Sequence, residues 1–443
     1  MDKFIVNGGI KLEGTTKVSG SKNVALKALV AACLTDEEVI IENVPLISDL
    51  FVMTDIIQEL GGKIDTQDHT LIVEMKDFKK SKIALERAAE IRTSAMFMSP
   101  LLARMNEAMI PNPGGCRIGA RPIDRTIDGL EQMGAVIDYK SEDGYFYMKA
   151  PQGLKGVDYT FKKSTHTGTE TLILAAVLAK GKTILRNAAE EPEINELIDL
   201  LNLMGAKVSK SSPRTIEIEG VEKLHGARFR VGADRNEIVT IAIAALITKG
   251  SITVLEAEKA DISIFTDKLK EIGAGVEEVE NGIKFFYKGE LTATNIETWT
   301  YPGFMTDWQG PWAVLMTQAK GDSIIHERVY ESRFGYAKEL EKMGAEIELY
   351  NPEVENPEEF YNFNIEDDNN GNKHAAKISG PRILHNAVVT ITDLRAGATL
   401  VLGALAAQGQ SVILEAHYLD RGYERFEDRL TKLGADIIRI SDE

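Results

Sequence analysis

Apolar and polar positions alternate along the chain in a unit of about seventy residues that recurs six times. Each copy ends with apolar residues at helical spacing, such as Ile127, Leu130 and Met133, then a glycine, then Gly or Ala and an apolar strand start. The glycines are Gly61, Gly134, Gly205, Gly273, Gly344 and Gly434, at intervals of 73, 71, 68, 71 and 90 residues. A glycine just past a last helical turn is typical of a left-handed C-cap. The pattern predicts helix, glycine, strand in every unit and an insertion in the last interval.

A second set of glycines recurs inside the units. Gly181, Gly250, Gly321 and Gly409 follow small or apolar helices, precede a β-branched strand, and lie 24, 23, 23 and 25 residues before the glycine that ends the unit.

A helical solenoid or a doubly wound α/β sheet would also alternate apolar helices with short connectors. Solenoid repeats are usually shorter, and a doubly wound sheet need not repeat its sequence. Because single cores rarely exceed about 250 to 300 residues, we predict an α/β (α+β) fold with six βα units in two domains.

Composition and charge narrow the function classes. The net charge of −17 argues against nonspecific nucleic-acid binding, although an anionic substrate could still meet locally concentrated Arg and Lys. No apolar run reaches the roughly 20 residues of a membrane span, and residues 1–4 lead into no signal-peptide stretch, so we expect a cytoplasmic protein without membrane contact. Seven scattered histidines and two cysteines in unlike contexts predict no metal site, no cofactor and no structural disulfide. Oligomeric state stays open.

Residues 349–390 interrupt the regular pattern. They contain Asn351-Pro352-Glu353, the run from Asp367 to Asn372 and several further acidic residues. This composition predicts a solvent-facing insertion with at most a short hairpin. A tolerated surface loop is the favoured interpretation, and a partner-binding or regulatory segment is the alternative.

Candidate chemistry concentrates in residues 111–124, where three prolines and three glycines interrupt helix and strand and predict an exposed loop. Cys116 lies beside Arg117 and near Arg121, and cationic neighbours lower the pKa of a thiol. An inert loop cysteine and a reactive one remain equally open on this ground alone. Cys33 lies in the apolar run 28–34, so we expect it in a core.

The 111–124 loop resembles the catalytic loop of the enolpyruvyl transferases, in the branch that acts on a UDP-sugar. Further matching segments span essentially the whole chain: 19–23, 191–194, 302–309, 331–334, 393–396 and 419–425. The resemblance implies two domains of the inside-out α/β barrel type, each with threefold pseudo-symmetry, formed by residues 1–21 plus 232–443 and by residues 22–231. These domains would close over small-molecule substrates.

The resemblance also implies a reaction. The enolpyruvyl group of phosphoenolpyruvate would move to the 3'-hydroxyl of UDP-N-acetylglucosamine with release of phosphate, which opens peptidoglycan precursor synthesis. Transfer to shikimate 3-phosphate is one alternative, against which Gly114-Gly115-Cys116 matches the UDP-sugar branch. A non-catalytic paralogue that binds a nucleotide sugar is another, although such a protein would not need the matching catalytic positions.

Site residues follow from the same resemblance. Cys116 matches the family's proton donor, which can hold phosphoenolpyruvate as an adduct and is the target of fosfomycin-type epoxides; Asp307 matches the base at the sugar hydroxyl. The catalytic set is Cys116, Asp307, Lys22, Arg395 and Asp393. The residues expected to bind phosphoenolpyruvate are Lys22, Arg121, Arg395 and Arg421, with Arg92 and Arg333 as further cations. The residues expected at the nucleotide sugar are Asn23, Arg121, Pro122, Asp124, Lys163, Thr165, Thr167, Asp307 and Val329.

Two departures from the family pattern touch the nucleotide end. Thr126 stands where the family usually has a histidine, and the family's Lys-Val-Ser-Val-Gly-Ala-Thr reads Lys-Ser-Thr-His-Thr-Gly-Thr at residues 163–169. We hypothesise that Arg125 or His166 supplies the contact that the missing histidine would make. The alternative is that His166 merely packs beside a helix start.

Overall fold

A computed structural model describes residues 2–114 and 122–441. The described residues form two compact units. The first unit comprises residues 2–19 and 233–441, and the second comprises residues 20–114 and 122–232. Each unit has its own hydrophobic core.

The strands of the described residues are, in chain order, β1 (Asp2–Asn7), β2 (Glu13–Lys17), β3 (Val39–Glu42), β4 (Lys63–Gln67), β5 (Thr70–Glu74), β6 (Glu107–Pro111), β7 (Val136–Lys140), β8 (Tyr145–Lys149), β9 (Asp158–Thr160), β10 (Lys182–Arg186), β11 (Lys207–Ser212), β12 (Thr215–Glu219), β13 (Ala227–Arg230), β14 (Ser251–Leu255), β15 (Gly275–Val279), β16 (Gly282–Phe286), β17 (Ile296–Glu297), β18 (Gly321–His326), β19 (Glu346–Tyr350), β20 (Ala375–Gly380), β21 (Val388–Thr390), β22 (Gln410–Leu414) and β23 (Asp436–Ser441).

The α-helices are α1 (Lys22–Ala32), α2 (Ser48–Leu60), α3 (Leu85–Glu90), α4 (Met98–Met105), α5 (Asp124–Gln132), α6 (His166–Ala176), α7 (Pro192–Leu203), α8 (Arg235–Ile247), α9 (Ser263–Glu271), α10 (Gln309–Thr317), α11 (Ala337–Lys342), α12 (Pro357–Phe360), α13 (Leu394–Ala406) and α14 (Phe426–Lys432). Short 3-10 helices cover Arg92–Phe97, Lys259–Ile262, Thr306–Trp308, Ile365–Asp367 and Ala416–Arg421.

One sheet pattern recurs three times in each unit. The sheets of the first unit have strand orders β15-β16-β14-β2, β17-β18-β20-β19 and β21-β22-β1-β23, each with one parallel edge pair and two antiparallel pairs. The second unit has β13-β3-β5-β4, β11-β12-β10-β9 and β6-β8-β7, and in the last of these a parallel bridge from Lys82 to Met109 stands where the others have a fourth strand. This repetition is the structural counterpart of the sequence repeat.

Buried helices form the centre of the first unit. All thirteen residues of α8, all nine of α10 and eleven of the thirteen in α13 are buried. The three helices contact one another, and each packs on a different sheet of the unit. Helices that are apolar on nearly every side are stable only when they are surrounded by protein. The predicted α/β fold of two repeat-built domains is confirmed.

The glycines that end the repeats have the predicted backbone conformation. Their φ angles are 113°, 96°, 95°, 89°, 92° and 102° in chain order, all in the left-handed region that glycine tolerates. Gly250 of the second set differs, because Lys249 takes the positive φ of 56° there. A Cβ on Gly250 would lie 1.9 Å from the carbonyl oxygen of Leu12, so close backbone approach requires this glycine.

The irregular segment is narrower and better packed than the sequence indicates. Residues 349–350 end β19 and residues 375–380 form β20, which leaves residues 351–374 as one long hairpin connection. We call residues 351–374 the insertion. Tyr361, Phe363 and His374 are each only 5 % exposed, so the prediction of a solvent-facing loop is wrong for the middle and end of the insertion. Aromatic side chains were the signal against it, since they gain most by burial.

Two further expectations concern burial. Cys33 is fully buried in the core of the second unit, as predicted, and burial raises the pKa of its thiol to about 12. Within residues 2–114 and 122–441, none of the helices combines the length and apolar content needed to cross a bilayer.

Candidate active site

Asp307 of the first unit lies between two arginines. It belongs to the 3-10 helix that precedes α10, its carboxylate accepts a hydrogen bond from the Arg333 guanidinium, and its Oδ2 lies 3.4 Å from Nε of Arg395. The Arg333 and Arg395 side chains are 6 % and 11 % exposed, whereas that of Asp307 is 26 % exposed. Burial opposes the charge on Arg395, but Tyr423 and Asp307 outweigh it and raise the guanidinium pKa. A reachable carboxylate therefore sits beside two permanently charged cations.

Arg395 is fixed by its backbone and by a phenol. It is the second residue of α13, whose N-cap is Asp393: Oδ1 of Asp393 accepts from the backbone N–H groups of Arg395 and Ala396 at 2.9 and 3.1 Å. Nη1 of Arg395 donates to the hydroxyl of Tyr423 at 3.0 Å, and that hydroxyl lies 2.9 Å from Oγ1 of Thr240. Sequence reasoning missed Tyr423, although it lies in the matching 419–425 segment. Asp393, which is predicted in the catalytic set, is the N-cap of α13.

A buried carboxylate joins two segments of this site. Oε2 of Glu327 accepts from Thr306 at 2.8 Å and from Gln309 at 3.2 Å, beside Asp307. Its Oε1 accepts from the backbone N–H groups of Val329 and Tyr330 at 2.7 and 3.1 Å. Burial raises the pKa of Glu327, an effect that the hydrogen bond from Thr306 opposes. Glu327 follows the last residue of β18 and belongs to none of the matching segments, so sequence reasoning missed it.

The remaining predicted residues of the first unit occupy nearby chain positions. Val329 follows Glu327 by two residues and is half-buried. Arg421 ends the 3-10 helix Ala416–Arg421 and is also half-buried. Tyr423 lies two residues further on, so the segment that carries Arg421 also supplies the phenol that holds Arg395.

Lys22 of the second unit is paired at the start of a helix. It opens α1 behind Ser21, whose hydroxyl accepts from the N–H of Val24 at 3.4 Å. Nζ of Lys22 lies 2.6 Å from Oδ2 of Asp49, and the two side chains are only 12 % and 6 % exposed. Asp49 lies in the first turn of α2 and was not predicted. Asn23 and Arg92 are half-buried in the same unit.

Several of the residues predicted at the nucleotide sugar lie at the start of α6. Thr165 is the N-cap, and its hydroxyl accepts from the N–H of Gly168 at 3.2 Å. Thr167 and Lys163 flank it, and both are half-buried. Nη1 of Arg125, one residue after the predicted Asp124, lies 3.5 Å from the carbonyl oxygen of Ser164. Pro122 and Asp124 therefore lie within three residues of Arg125, the side chain that contacts the segment before α6.

The two departures from the family pattern are neighbours. A Cβ on Gly168 would lie 3.3 Å from Oγ1 of Thr126 and 2.5 Å from the methyl of Thr165. Thr126 is buried at 6 % exposure. The small residues at 126 and 168 therefore pack together, and a change at one position constrains the other.

His166 shares a buried carboxylate with a lysine. Oε1 of Glu170 lies 3.1 Å from Nε2 of His166, and its Oε2 lies 3.2 Å from Nζ of Lys27. The Glu170 side chain is fully buried. Burial favours neutral His166, but Glu170 outweighs it and raises the imidazole pKa above its ordinary value. His166 is therefore not a simple packing residue, and Lys27 and Glu170 are the partners that sequence reasoning missed.

Geometry thus brings together Asp307, Arg333 and Arg395 in the first unit, and the 122–125 and 163–167 segments in the second. Cys116 and Arg121 lie outside the described residues.

Comparisons with known proteins agree across the chain. A family model described as EPSP synthase (3-phosphoshikimate 1-carboxyvinyltransferase) matches residues 6–430. A protein of Solibacter usitatus named UDP-N-acetylglucosamine 1-carboxyvinyltransferase is 40 % identical over 441 residues, which cover 99 % of this chain and 100 % of the relative. A protein of the same name from Endomicrobium trichonymphae is 40 % identical over 438 residues and 99 % of each chain.

Solved structures repeat the architecture. The enolpyruvyl transferase NikO from Streptomyces tendae has a TM-score of 0.86 at 23 % identity, with 100 % of this chain and 99 % of that chain covered. EPSP synthase from Acinetobacter baumannii has a TM-score of 0.74 at 17 % identity, with both chains fully covered. At such low identities, the solved structures show the fold alone. The family model and the full-length relatives show the family, and the chain belongs to the enolpyruvyl transferase family of enzymes.

Proposed function

We propose that this enzyme transfers the enolpyruvyl group of phosphoenolpyruvate to the 3'-hydroxyl of UDP-N-acetylglucosamine and releases phosphate, the first committed step of peptidoglycan precursor synthesis. The names of its full-length relatives support this acceptor. The observation that carries the proposal in the structure is the Asp307 carboxylate held between Arg333 and Arg395. A hydroxyl that attacks needs a base, and an anionic donor needs cations, and this arrangement offers both.

Asp307 takes the proton of the sugar hydroxyl while the oxygen of that hydroxyl forms a bond to C2 of phosphoenolpyruvate. The methylene carbon receives a proton at the same step, which leaves a tetrahedral adduct. Loss of a methyl proton and of phosphate then restores the double bond. Arg395 and Arg421, with Arg333, bind the phosphate and carboxylate of the donor, because a guanidinium can engage either group through two parallel hydrogen bonds.

Lys22, Arg92 and Arg121 are the further cations expected to bind phosphoenolpyruvate, and Lys22 is oriented by its ion pair with Asp49. Cys116 delivers the proton to the methylene carbon, since a thiol has a pKa close enough to neutral pH to donate. Asp393 supports catalysis by capping α13, and so by orienting Arg395.

The residues expected to bind the nucleotide sugar are Asn23, Arg121, Pro122, Asp124, Lys163, Thr165, Thr167 and Val329. The eleven-residue helix α6 begins among these residues, and the amino end of a helix favours an anionic group such as a diphosphate. Because the Thr165 hydroxyl caps α6, Thr165 acts by fixing that helix start.

Phosphate release from phosphoenolpyruvate tests the function directly. The purified protein would be assayed with UDP-N-acetylglucosamine, with shikimate 3-phosphate and with no acceptor. Release that requires the UDP-sugar supports the proposal. Release that requires shikimate 3-phosphate would favour the second candidate, which is the activity in the description of the matching family model. No release with any acceptor would leave the non-catalytic paralogue.

Replacing His166 by alanine should raise the KM for UDP-N-acetylglucosamine about tenfold and leave kcat within about twofold, because a charge-assisted hydrogen bond contributes about 1.5 kcal/mol. Arg125→Ala should act in the same direction if Arg125 shares the contact.

Glu170 raises the pKa of His166, so the imidazolium persists above its usual pH range. The KM of the unsubstituted enzyme should therefore begin to rise at a higher pH than an ordinary histidine would give, as the imidazole deprotonates.

The matched control is His225→Ala, since His225 is an exposed histidine of the same unit that pairs with Glu37. Its KM should not change. Unchanged KM values in both His166→Ala and Arg125→Ala would contradict the hypothesis that one of these residues supplies the contact of the missing histidine. A pH profile of KM that His166→Ala leaves intact would contradict it as well.

A further inference from the structure

The insertion, residues 351–374, packs on the segment that leads to Val329. We call residues 326–330 the anchor segment; it begins at the last residue of β18 and continues toward Arg333. Three consecutive residues of the anchor segment, His326, Glu327 and Arg328, are each held by a different set of partners. Two of these sets include residues of the insertion.

Arg328 is enclosed by aromatic rings and carbonyls. Its guanidinium carbon lies 4.3 Å from the ring centre of Trp299 and 3.8 Å from that of Phe360, which belongs to the insertion. Nε and Nη2 donate to the carbonyl oxygen of Phe360 at 3.2 and 3.1 Å, and Nη1 donates to Glu297 at 2.7 Å. The backbone oxygen of Arg328 accepts from the N–H of Asn362 at 2.8 Å. Both its side chain and its backbone are therefore tied to the insertion.

His326 makes a second set of contacts with the insertion. Its Nε2 lies 3.1 Å from the hydroxyl of Tyr361, and its ring lies 5.0 Å from that of Phe360. Burial lowers the pKa of His326 to about 4, so the ring is neutral at physiological pH and does not repel the Arg328 guanidinium. The contact is therefore a neutral hydrogen bond inside an aromatic cluster.

The insertion has a packed aromatic interior that can hold its contacts with His326 and Arg328 in place. Tyr361 and Phe363 stack with ring centres 4.7 Å apart, and their ring centres lie 5.1 and 5.2 Å from that of His374. Nε2 of His374 lies 2.8 Å from Oδ2 of Asp368. Aromatic stacking of this kind gives a short segment a fixed shape without a core of its own.

We propose that the insertion is a positioning element for the nucleotide sugar: by holding His326 and Arg328 it fixes the backbone at Val329. This inference rests on the proposed function, in which Val329 contacts the UDP-sugar. Glu327 fixes the same backbone, because its Oε1 accepts from the N–H groups of Val329 and Tyr330 while its Oε2 is held by Thr306 and Gln309. Pre-ordering a contact residue lowers the entropic cost of binding. Arg333 is paired with Asp307, and its guanidinium carbon also lies 5.7 Å from the ring centre of Tyr330 in the anchor segment. Because the ion pair with Asp307 does not involve the insertion, we expect the insertion to act mainly on nucleotide binding.

Two conservative variants of the insertion test the proposal. Phe360→Leu removes the ring over Arg328 but keeps the backbone carbonyl, and Tyr361→Phe removes only the hydroxyl that meets His326. Phe360→Leu should raise both the dissociation constant and the KM for UDP-N-acetylglucosamine about three- to tenfold, with kcat within about twofold. Tyr361→Phe should act in the same direction and more weakly. Amide hydrogen exchange at Val329 and Tyr330 should quicken in both variants.

Phe286→Leu is the matched control, because Phe286 is a half-buried ring of the same unit with Lys284 and Lys288 beside it. It should change neither nucleotide binding nor exchange at Val329. Unchanged exchange in both insertion variants would overturn the proposal, and so would an equal rise in the dissociation constant in Phe286→Leu. Should the unsubstituted protein bind no UDP-sugar, the proposed function would fail, while exchange would still decide whether the insertion orders the anchor segment.

Discussion

Asp307→Asn should lower kcat by about 10²- to 10⁴-fold, the usual contribution of a positioned general base. The amide has nearly the same shape as the carboxylate but cannot take a proton from the sugar hydroxyl. It also removes the negative charge between Arg333 and Arg395, which leaves two neighbouring guanidiniums without their shared anion. The KM for phosphoenolpyruvate should therefore change much less than kcat, because those cations remain available to the donor.

Steady-state phosphate release measures both constants. Asp322→Asn is the control, since Asp322 is an exposed aspartate of β18 in the same unit that pairs with Lys377. It should behave as the unsubstituted enzyme. A kcat for Asp307→Asn within about threefold of normal would show that Asp307 is not the base.

Cys116→Ser should lower turnover by a similar factor, about 10²- to 10⁴-fold, while UDP-N-acetylglucosamine still binds. A hydroxyl is too weak an acid to donate a proton at neutral pH, whereas a thiol is not. This expectation comes from the family resemblance at residues 111–124, since Cys116 lies outside the described residues.

Thiol alkylation gives an independent readout for the same residue. Burial raises the pKa of Cys33 to about 12, so at neutral pH a thiol reagent should modify Cys116 and spare Cys33. Calorimetry with the nucleotide sugar verifies that Cys116→Ser is folded and binds. Full activity in Cys116→Ser, or alkylation without loss of turnover, would remove the thiol from the mechanism.

The repeat could be predicted from the sequence because its cause is local. A helix that ends in a left-handed glycine places its signal within a few residues, and Gly61 and Gly434 show the expected φ of 113° and 102°. Helix burial was equally readable from apolar patterning, as in α8.

Site residues that act through others were not readable in this way. Asp49 meets Lys22 across 27 positions, and Tyr423 meets Arg395 across 28, so neither pairing leaves a local pattern. Glu327 likewise joins segments that only the fold brings together. The helix caps Asp393 and Thr165 differ from these residues, because a short polar residue before an apolar helix is a local signal for an N-cap. The capping role of both residues could therefore be predicted from the sequence.

The position of the insertion has a consequence for engineering. Residues 351–374 replace a turn at the tip of a hairpin, whereas the equivalent hairpin β15–β16 turns within residues 280–281. Closing a loop about ten times longer costs only about 2 kcal/mol, because the entropy of closure grows with the logarithm of length. The turn at residues 280–281 is therefore a place where a foreign segment could be grafted, provided that the graft brings a few contacts of its own, as Phe360 does with Arg328.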